Sequence, residues 1–337
     1  MISIIIPYYN AKDTIKNTLY SIAMQTCKNI GVILVDDGSA EEDSEYVKDL
    51  INQMPFYIHY VKNNKNMGVS ASRNIGLNIA LMSSLTEEVM FVDADDTLLT
   101  KDTIEILYGA IHCKRKDVAS GKIITYNKNG KEIIIPNTNK VWLHGKMFDA
   151  AFLRERNIQF LPKVRYNEDL YFIQKCYSYT ENIELIDNIL YCWNYRIGSI
   201  TRTSNECAHE KMADDFCKIM CVLIKDFSER ENPNTYTLET LPLNIAKLYK
   251  YSQVYSSVIQ PNTKMLIQFV LNLKSVEEYF IKYPNAVQVY LSRAFENIPK
   301  LKNGVMPILE RTPIEFMNLY SPKISKIIKN TIGELSK

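Results

Sequence analysis

Several absences narrow the reading of this chain. No apolar run approaches the roughly 18–20 residues that a bilayer-spanning helix needs. The formal net charge is only +2 over 337 residues, so no global field favours nucleic acid as a partner. Seven cysteines, at positions 27, 113, 176, 192, 207, 217 and 221, are odd in number and hold no Cys-x-x-Cys pair. That excludes a regular disulfide framework and points to reduced thiols in a cytoplasmic protein. Cys207 lies near His209, and Cys217 and Cys221 share a helix face, but no partner pair stands at zinc spacing. Core thiols are therefore expected there. The phosphate-loop pattern Gly-x-x-x-x-Gly-Lys is absent, and so is the dinucleotide pattern Gly-x-Gly-x-x-Gly. There is no internal repeat or low-complexity segment. The N-terminus, Met1 to Pro7, carries no basic segment and is too short for a signal peptide.

What is present is ordinary globular composition, 46% hydrophobic and 23% charged. The length suits one large domain with an extra region, or two domains. The stretch that organises the rest is Glu88-Val89-Met90-Phe91-Val92-Asp93-Ala94-Asp95-Asp96. Its apolar run reads as a buried strand. The carboxylates stand where that strand leaves the sheet, which in open α/β sheets is where ligands bind. Crowded acids need a cation or donors, and a hard divalent metal with oxygen ligands is one solution. A helix N-cap at Asp96-Thr97 is the plainer alternative.

Read in order, the chain alternates strands and helices. Ile2 to Ile6 is a strand stopped by Pro7 and followed by Tyr8-Tyr9-Asn10. Ile15, Leu19, Ile22 and Ala23 recur at helical spacing. Gly31 to Val35 is a buried strand ending in Asp36-Asp37-Gly38-Ser39, and Glu41-Glu42-Asp43 opens another helix. Tyr57 to Val61 is a strand, a turn covers 63–66, and a helix enters at Gly68 and runs to about Met82. This alternation predicts a mostly parallel sheet. Parallel strands put their carboxyl ends on one edge, so Pro7-Tyr8-Tyr9, Asp36-Asp37 and Asp93 to Asp96 should converge on one crevice. A ring to stack on a base, acids to accept from ribose or base, and a metal-type cluster together suit a nucleoside diphosphate.

The motifs Ser3-Ile4-Ile5-Ile6-Pro7-Tyr8-Tyr9-Asn10, Val35-Asp36-Asp37-Gly38-Ser39, Gly68-Val69-Ser70-Ala71-Ser72-Arg73-Asn74-Ile75-Gly76 and Phe91-Val92-Asp93-Ala94-Asp95-Asp96 resemble the family 2 glycosyltransferases. The resemblance covers about 1–204 and implies a GT-A catalytic domain there, with a helical region at 205–337. It implies metal-dependent, inverting transfer of a sugar from a nucleotide sugar, by family habit a UDP-sugar. By the same match Pro7, Tyr8, Tyr9, Asn10 and Asp37 would line the nucleotide site. Arg73 would lie near the diphosphate, Asp93 and Ala94 near ribose or sugar, and Asp95 would ligate Mn²⁺ or Mg²⁺. Asp36 serves either turn chemistry or ligand contact.

Val118 to Tyr126 and Glu132 to Ile135 flank a hairpin turn at Asn127-Lys128-Asn129-Gly130. The region from Trp142 to Phe152 borders the acceptor in the family, and His144 there is read first as a structural histidine. In Val164-Arg165-Tyr166-Asn167-Glu168-Asp169 the plain reading is a helix capped by Asn167 with acids in its first turn. The resemblance instead makes Asp169 the catalytic base, with Glu168 the runner-up. After a strand at Ile183 to Tyr191, a Tyr-x-Arg-x-x-Ser-Ile loop implies that Arg196 and Ser199 close over the diphosphate.

Beyond Asn205 the texture is helical, with periodic stretches at 238–258, 262–282 and 285–297. In 321–337, Ile324, Ile327, Ile328, Ile332 and Leu335 line one helical face, and Lys323, Lys326, Lys329 and Lys337 the other. Such a helix docks on the protein or another subunit, or lies peripherally on the inner face of the plasma membrane. The acceptor implied is a glycan or lipid-linked saccharide in surface-polysaccharide synthesis of the capsule or O-antigen kind. Two alternatives are a nucleotidyltransferase, which lacks support because the first strand is followed by Pro7-Tyr8-Tyr9-Asn10 and no glycine-rich basic signature, and a non-catalytic sugar-nucleotide-binding scaffold.

Overall fold

The structure is a computed structural model that describes residues 1–195 and 206–283. The chain forms two compact units, Met1–Thr203 and Ser204–Lys337. The expectations for Arg196, Ser199, 285–297 and 321–337 lie outside the described residues.

The first unit opens with β1 (Ile2–Tyr8), α1 (Lys12–Ala23), β2 (Ile30–Asp36), α2 (Glu41–Ile51), β3 (Tyr57–Lys62), α3 (Val69–Met82) and β4 (Glu88–Phe91). β1, β2, β3 and β4 pair in parallel in the order β3-β2-β1-β4. Ile4, Ile6, Val32, Leu34, Val89 and Met90 are fully buried, as strands covered on both faces require. Pro7 does not stop β1. Ile5 and β4 share a ladder bond, so by strand alternation the missing Pro7 donor faces the β4 side. There β4 ends at Phe91, opposite Ile5, and no ladder bond is lost.

The chain then adds β5 (Thr97–Leu98), α4 (Thr103–Lys114), β6 (Val118–Tyr126), β7 (Glu132–Ile135), β8 (Lys146–Asp149), α5 (Ala150–Glu155), α6 (Glu168–Tyr179) and β9 (Ile183–Trp193). The sheet continues β4-β8-β6-β9-β5, with β7 beside β6. β8 runs antiparallel between β4 and β6, while β6 and β9 are parallel. Thr97 and Leu98 pair with β9, so Asp96 starts a strand rather than the helix its sequence also allows.

In the second unit α7 (Glu206–Ser228) packs against α8 (Thr235–Val254), α9 (Pro261–Leu271) and α10 (Lys274–Lys282). Cys217 and Cys221 are buried on α7 among Ile219, Leu223 and Ile224. The periodic stretch 262–282 is two helices: Asn272 and Leu273 separate α9 from α10, and Leu273 is the extended residue preceding α10. Among the described residues, no helix is long and apolar enough to cross a membrane.

Candidate active site

The carboxyl ends of β1, β2 and β4 border a cleft of about 300 Å³ lined by residues that include Pro7, Tyr9, Asp37, Asp93, Ala94 and Asp95. Tyr9 is exposed, which leaves its ring open to stacking. Tyr8 also lines the cleft, but its ring is buried and its hydroxyl donates to Asp43, at 3.2 Å to the carbonyl and 3.3 Å to Oδ1. It therefore builds the floor rather than offering a polar group. Asn10 adopts a left-handed conformation with φ 45° and ties the β1 turn to the β2 turn. Its N–H donates to Ser39 Oγ at 2.9 Å, and its Oδ1 accepts from Ala40 N–H at 2.9 Å.

Asp36 and Asp37 divide their work. Asp36 is fully buried and accepts from Ser39 N–H, Ser44 Oγ and Tyr60 OH. Burial alone would raise its pKa, and those hydrogen bonds hold it below the usual carboxylate value. Asp37 accepts from Asn63 Nδ2, Met67 N–H and Gly68 N–H, which folds the 63–68 turn against the cleft. Gly38 has φ +76°, and a Cβ there would lie 2.6 Å from the Lys65 backbone, so the close approach of the two turns requires glycine.

Arg73 is the centre of the polar constellation. It is 1% exposed. Its Nη1 donates to Glu168 Oε1 at 2.8 Å and Asp169 Oδ1 at 2.7 Å, and its Nη2 donates to Asp93 Oδ1 at 2.7 Å. The guanidinium lies 5.4 Å from the centroid of Phe160, which stacks on Phe172 at 4.3 Å. Burial works against the charge on Arg73, but the three carboxylates outweigh it and hold the pKa well above the ordinary value.

One face of α3 organises the distant segment that carries Glu168 and Asp169. Ser70 Oγ donates to the Val164 carbonyl at 3.0 Å. Asn74 exchanges both backbone bonds of Phe160, at 2.9 and 2.8 Å. Ser70, Arg73 and Asn74 are spaced at i, i+3 and i+4, which puts them side by side on a helix. Asn167 has φ 61° and makes no capping bond, contrary to the capping role its sequence suggests. The left-handed residue turns the chain so that the next two acids meet Arg73. Burial, then the neighbouring Asp169, pushes Glu168 up to about 7.

A second network backs Asp93. His144 Nε2 lies 2.9 Å from Asp93 Oδ2, and its ring stacks on Tyr191 at 5.0 Å between centroids. Burial would lower the His144 pKa, but Asp93 outweighs it and raises the value to about 9. Burial also opposes ionisation of Asp93, and Arg73 with His144 holds it well below the carboxylate range. Tyr191 OH receives the Asp93 N–H at 3.2 Å and donates to Asp96 Oδ2 at 2.8 Å. Burial pushes Asp96 up to about 8. Asn194 fastens this turn, donating its N–H to Asp96 Oδ1 and its Nδ2 to the Asp95 carbonyl, both at 2.9 Å.

Ligand atoms of Asp93, Asp96 and His144 lie within 4.8 Å of one another. The chemistry of that trio does not fit a metal. His144 Nε2 is paired with Asp93, and both Asp96 oxygens are hydrogen-bonded within the protein. Asp95 also lines the cleft, and its carboxylate is the hard oxygen type that Mg²⁺ or Mn²⁺ takes from a protein when phosphate and water complete the shell.

The family model described as glycosyl transferase family 2 matches residues 3–174, more than half of the 337-residue chain. The chain belongs to glycosyltransferase family 2. The family 2 match takes in the cleft motifs and reaches past Asp169. Glycosyltransferase GlyA of Streptococcus pneumoniae is 29% identical over 229 residues, which is 61% of this chain and 32% of that protein. This family 2 chain thus spans about a third of that relative's length. The minor teichoic acid biosynthesis protein GgaA of Bacillus subtilis is 24% identical over 90% of this chain and 74% of its own. A crystal structure of S. aureus TarS in complex with UDP-GlcNAc has a TM-score of 0.66 at 18% identity, covering 99% of this chain and 91% of that one. That likeness is one of fold, and with it the family 2 domain is of the GT-A kind.

Sequence reasoning located the cleft but missed Arg165, which also lines it, and the linking roles of Tyr191 and Asn194. Their only sequence signal was proximity to quoted motifs.

Proposed function

We propose that this family 2 enzyme moves a sugar from a nucleotide sugar, with UDP as the nucleotide, to a hydroxyl of a glycan or lipid-linked acceptor, with inversion at the anomeric carbon. The observation that carries the reading is the placement of Asp169. The same guanidinium, Arg73, holds both Asp169 and the cleft acid Asp93. A base for the acceptor is thus tied directly to the donor site. Inverting transfer needs one such base, which takes the acceptor proton as its oxygen attacks the anomeric carbon. Asp169 is that base and Glu168 the runner-up. Glu168 shares Nη1 of Arg73 with Asp169.

Pro7, Tyr9 and Asp37 receive the base and ribose, with Tyr8 and Asn10 shaping that end. Asp93 and Ala94 border the sugar, and Asp95 holds Mn²⁺ or Mg²⁺. When bound, the metal neutralises charge on the leaving diphosphate. Arg196 and Ser199 join the diphosphate by motif. TarS, named in its complex for UDP-GlcNAc, and GgaA, named for teichoic acid synthesis, support a UDP-sugar donor and a surface-polymer acceptor. The setting is the cytoplasmic side of the membrane, with 321–337 as a peripheral membrane or subunit contact. The test is product analysis by NMR after incubation with nucleotide sugars and surface-polymer acceptors. A product with inverted anomeric configuration is expected; retention of configuration would overturn the single-base reading.

A further inference from the structure

Among the cleft-lining residues the carboxylates outnumber the cations. Asp37, Asp93 and Asp95 all border it, while among the described lining residues Arg165 is the one cationic side chain. Asp37 is occupied by backbone and amide donors, and Asp93 by Arg73 and His144. Arg73 is buried and bonded to its carboxylates. A diphosphate in this cleft would meet the guanidinium of Arg165.

Arg165 is exposed, yet its backbone is bracketed on both sides by α3. Before it, Ser70 Oγ holds the Val164 carbonyl at 3.0 Å. After it, Arg73 holds Glu168 at 2.8 Å and Asp169 at 2.7 Å. Ser70 and Arg73 are one helical turn apart, so the short link between their partners is pinned at both ends.

We propose that Arg165 grips a phosphate oxygen of the bound nucleoside diphosphate. The proposal rests on the reading of the cleft as a nucleotide-sugar site. Arginine presents a planar fork that matches phosphate oxygens. Because the same link leads into Glu168 and Asp169, closing on the diphosphate steadies the acceptor base as well. Arg165 thus adds a diphosphate contact to the residues the family motifs supply.

The experiment is titration of the full chain in Mg²⁺ buffer with UDP, by calorimetry, and with uridine, by ligand-observed NMR. Wild type, Arg165→Ala and Arg165→Lys are compared. Arg165→Ala is expected to weaken UDP about tenfold and to leave uridine unchanged, with Arg165→Lys recovering part of the loss. Equal UDP affinity in wild type and Arg165→Ala would overturn the proposal while leaving the nucleotide site intact. An equal fall for UDP and uridine would also overturn it, since that marks a collapsed wall rather than a lost phosphate contact. Absence of UDP binding by the wild type would overturn the nucleotide-sugar reading and this proposal with it.

Discussion

Nη1 of Arg73 lies 2.7 Å from Oδ1 of Asp169, across 96 residues of sequence. The same side chain reaches Asp93 at the end of β4. Through one buried guanidinium, the donor-side acid and the proposed base share a rigid mount. A buried cation satisfied by acids in this way is costly to break, because removing one partner leaves the others uncompensated.

Asp169→Asn keeps the shape of the side chain and removes its basicity. The variant is expected to bind UDP as the wild type does and to lose about 10²–10⁴-fold in kcat, the usual worth of a positioned base. Glu168→Gln is expected to lose less. Calorimetry beside initial-rate kinetics checks both, and near-normal turnover by Asp169→Asn would remove it from the base role.

His144 makes a pH prediction. Its pKa is raised from 6.5 to about 9 by Asp93 against the effect of burial. A basic group with a raised folded pKa contributes stability that is complete below pH 6.5 and is lost as pH rises through about 9. Asp93 and Asp96 face the ring network, with Asp96 raised to about 8, so its own proton also favours the fold at lower pH. The stability gap between wild type and His144→Gln is therefore expected to shrink with rising pH across that window, by on the order of 3 kcal/mol. Denaturant melts at pH 6, 7.5 and 9 (about these values, chosen to span the titration) measure the gap, and a constant gap would contradict a charged His144.

Asn194 donates its side-chain amide to the carbonyl of Asp95, the proposed metal ligand. Asn194→Ala removes that bond while the backbone bond to Asp96 stays. Supports of this sort commonly change metal affinity by 10–100-fold, and about tenfold is expected here. Mn²⁺ titration of the purified variant, followed by calorimetry in the presence of UDP, reads it directly. Unchanged metal affinity would mean that the Asp95 turn holds itself.

Gly76 sits where α3 presses on β1, and a Cβ there would lie 2.5 Å from Ile5 Cγ2. Gly76→Ala sets two effects against each other. Helix propensity gains about 1 kcal/mol, and overpacking costs about 1–3 kcal/mol. Net destabilisation is expected in urea melts, and a stabilised variant would show that the sheet yields at Ile5.

Much of this architecture is legible from the sequence, for identifiable reasons. Buried parallel strands are continuous apolar runs, so β1, β2 and β4 stand out, and the acids that end β2 and β4 mark the cleft edge. Long-range polar pairing leaves no such trace. Nothing in the pattern of 68–76 says that Arg73 is buried under acids 20 and 95 residues away. The left-handed Asn167 reads locally as an ordinary cap, and only tertiary context shows the turn it makes. Likewise β8 enters the sheet antiparallel from a stretch whose alternation alone sets no partner. In the second unit helical periodicity is plain, but the break at Asn272 and Leu273 carries no glycine or proline signal.

The central claim is metal-dependent use of a nucleotide sugar at the Asp95 cleft. Its most direct test is nucleotide release by the purified chain from a panel of nucleotide sugars, with acceptor, in Mn²⁺ and then in chelator, for wild type and Asp95→Asn. Release of UDP from one donor, abolished by chelator and severely reduced in Asp95→Asn, is the expected result. Release that persists in chelator and in Asp95→Asn would contradict it.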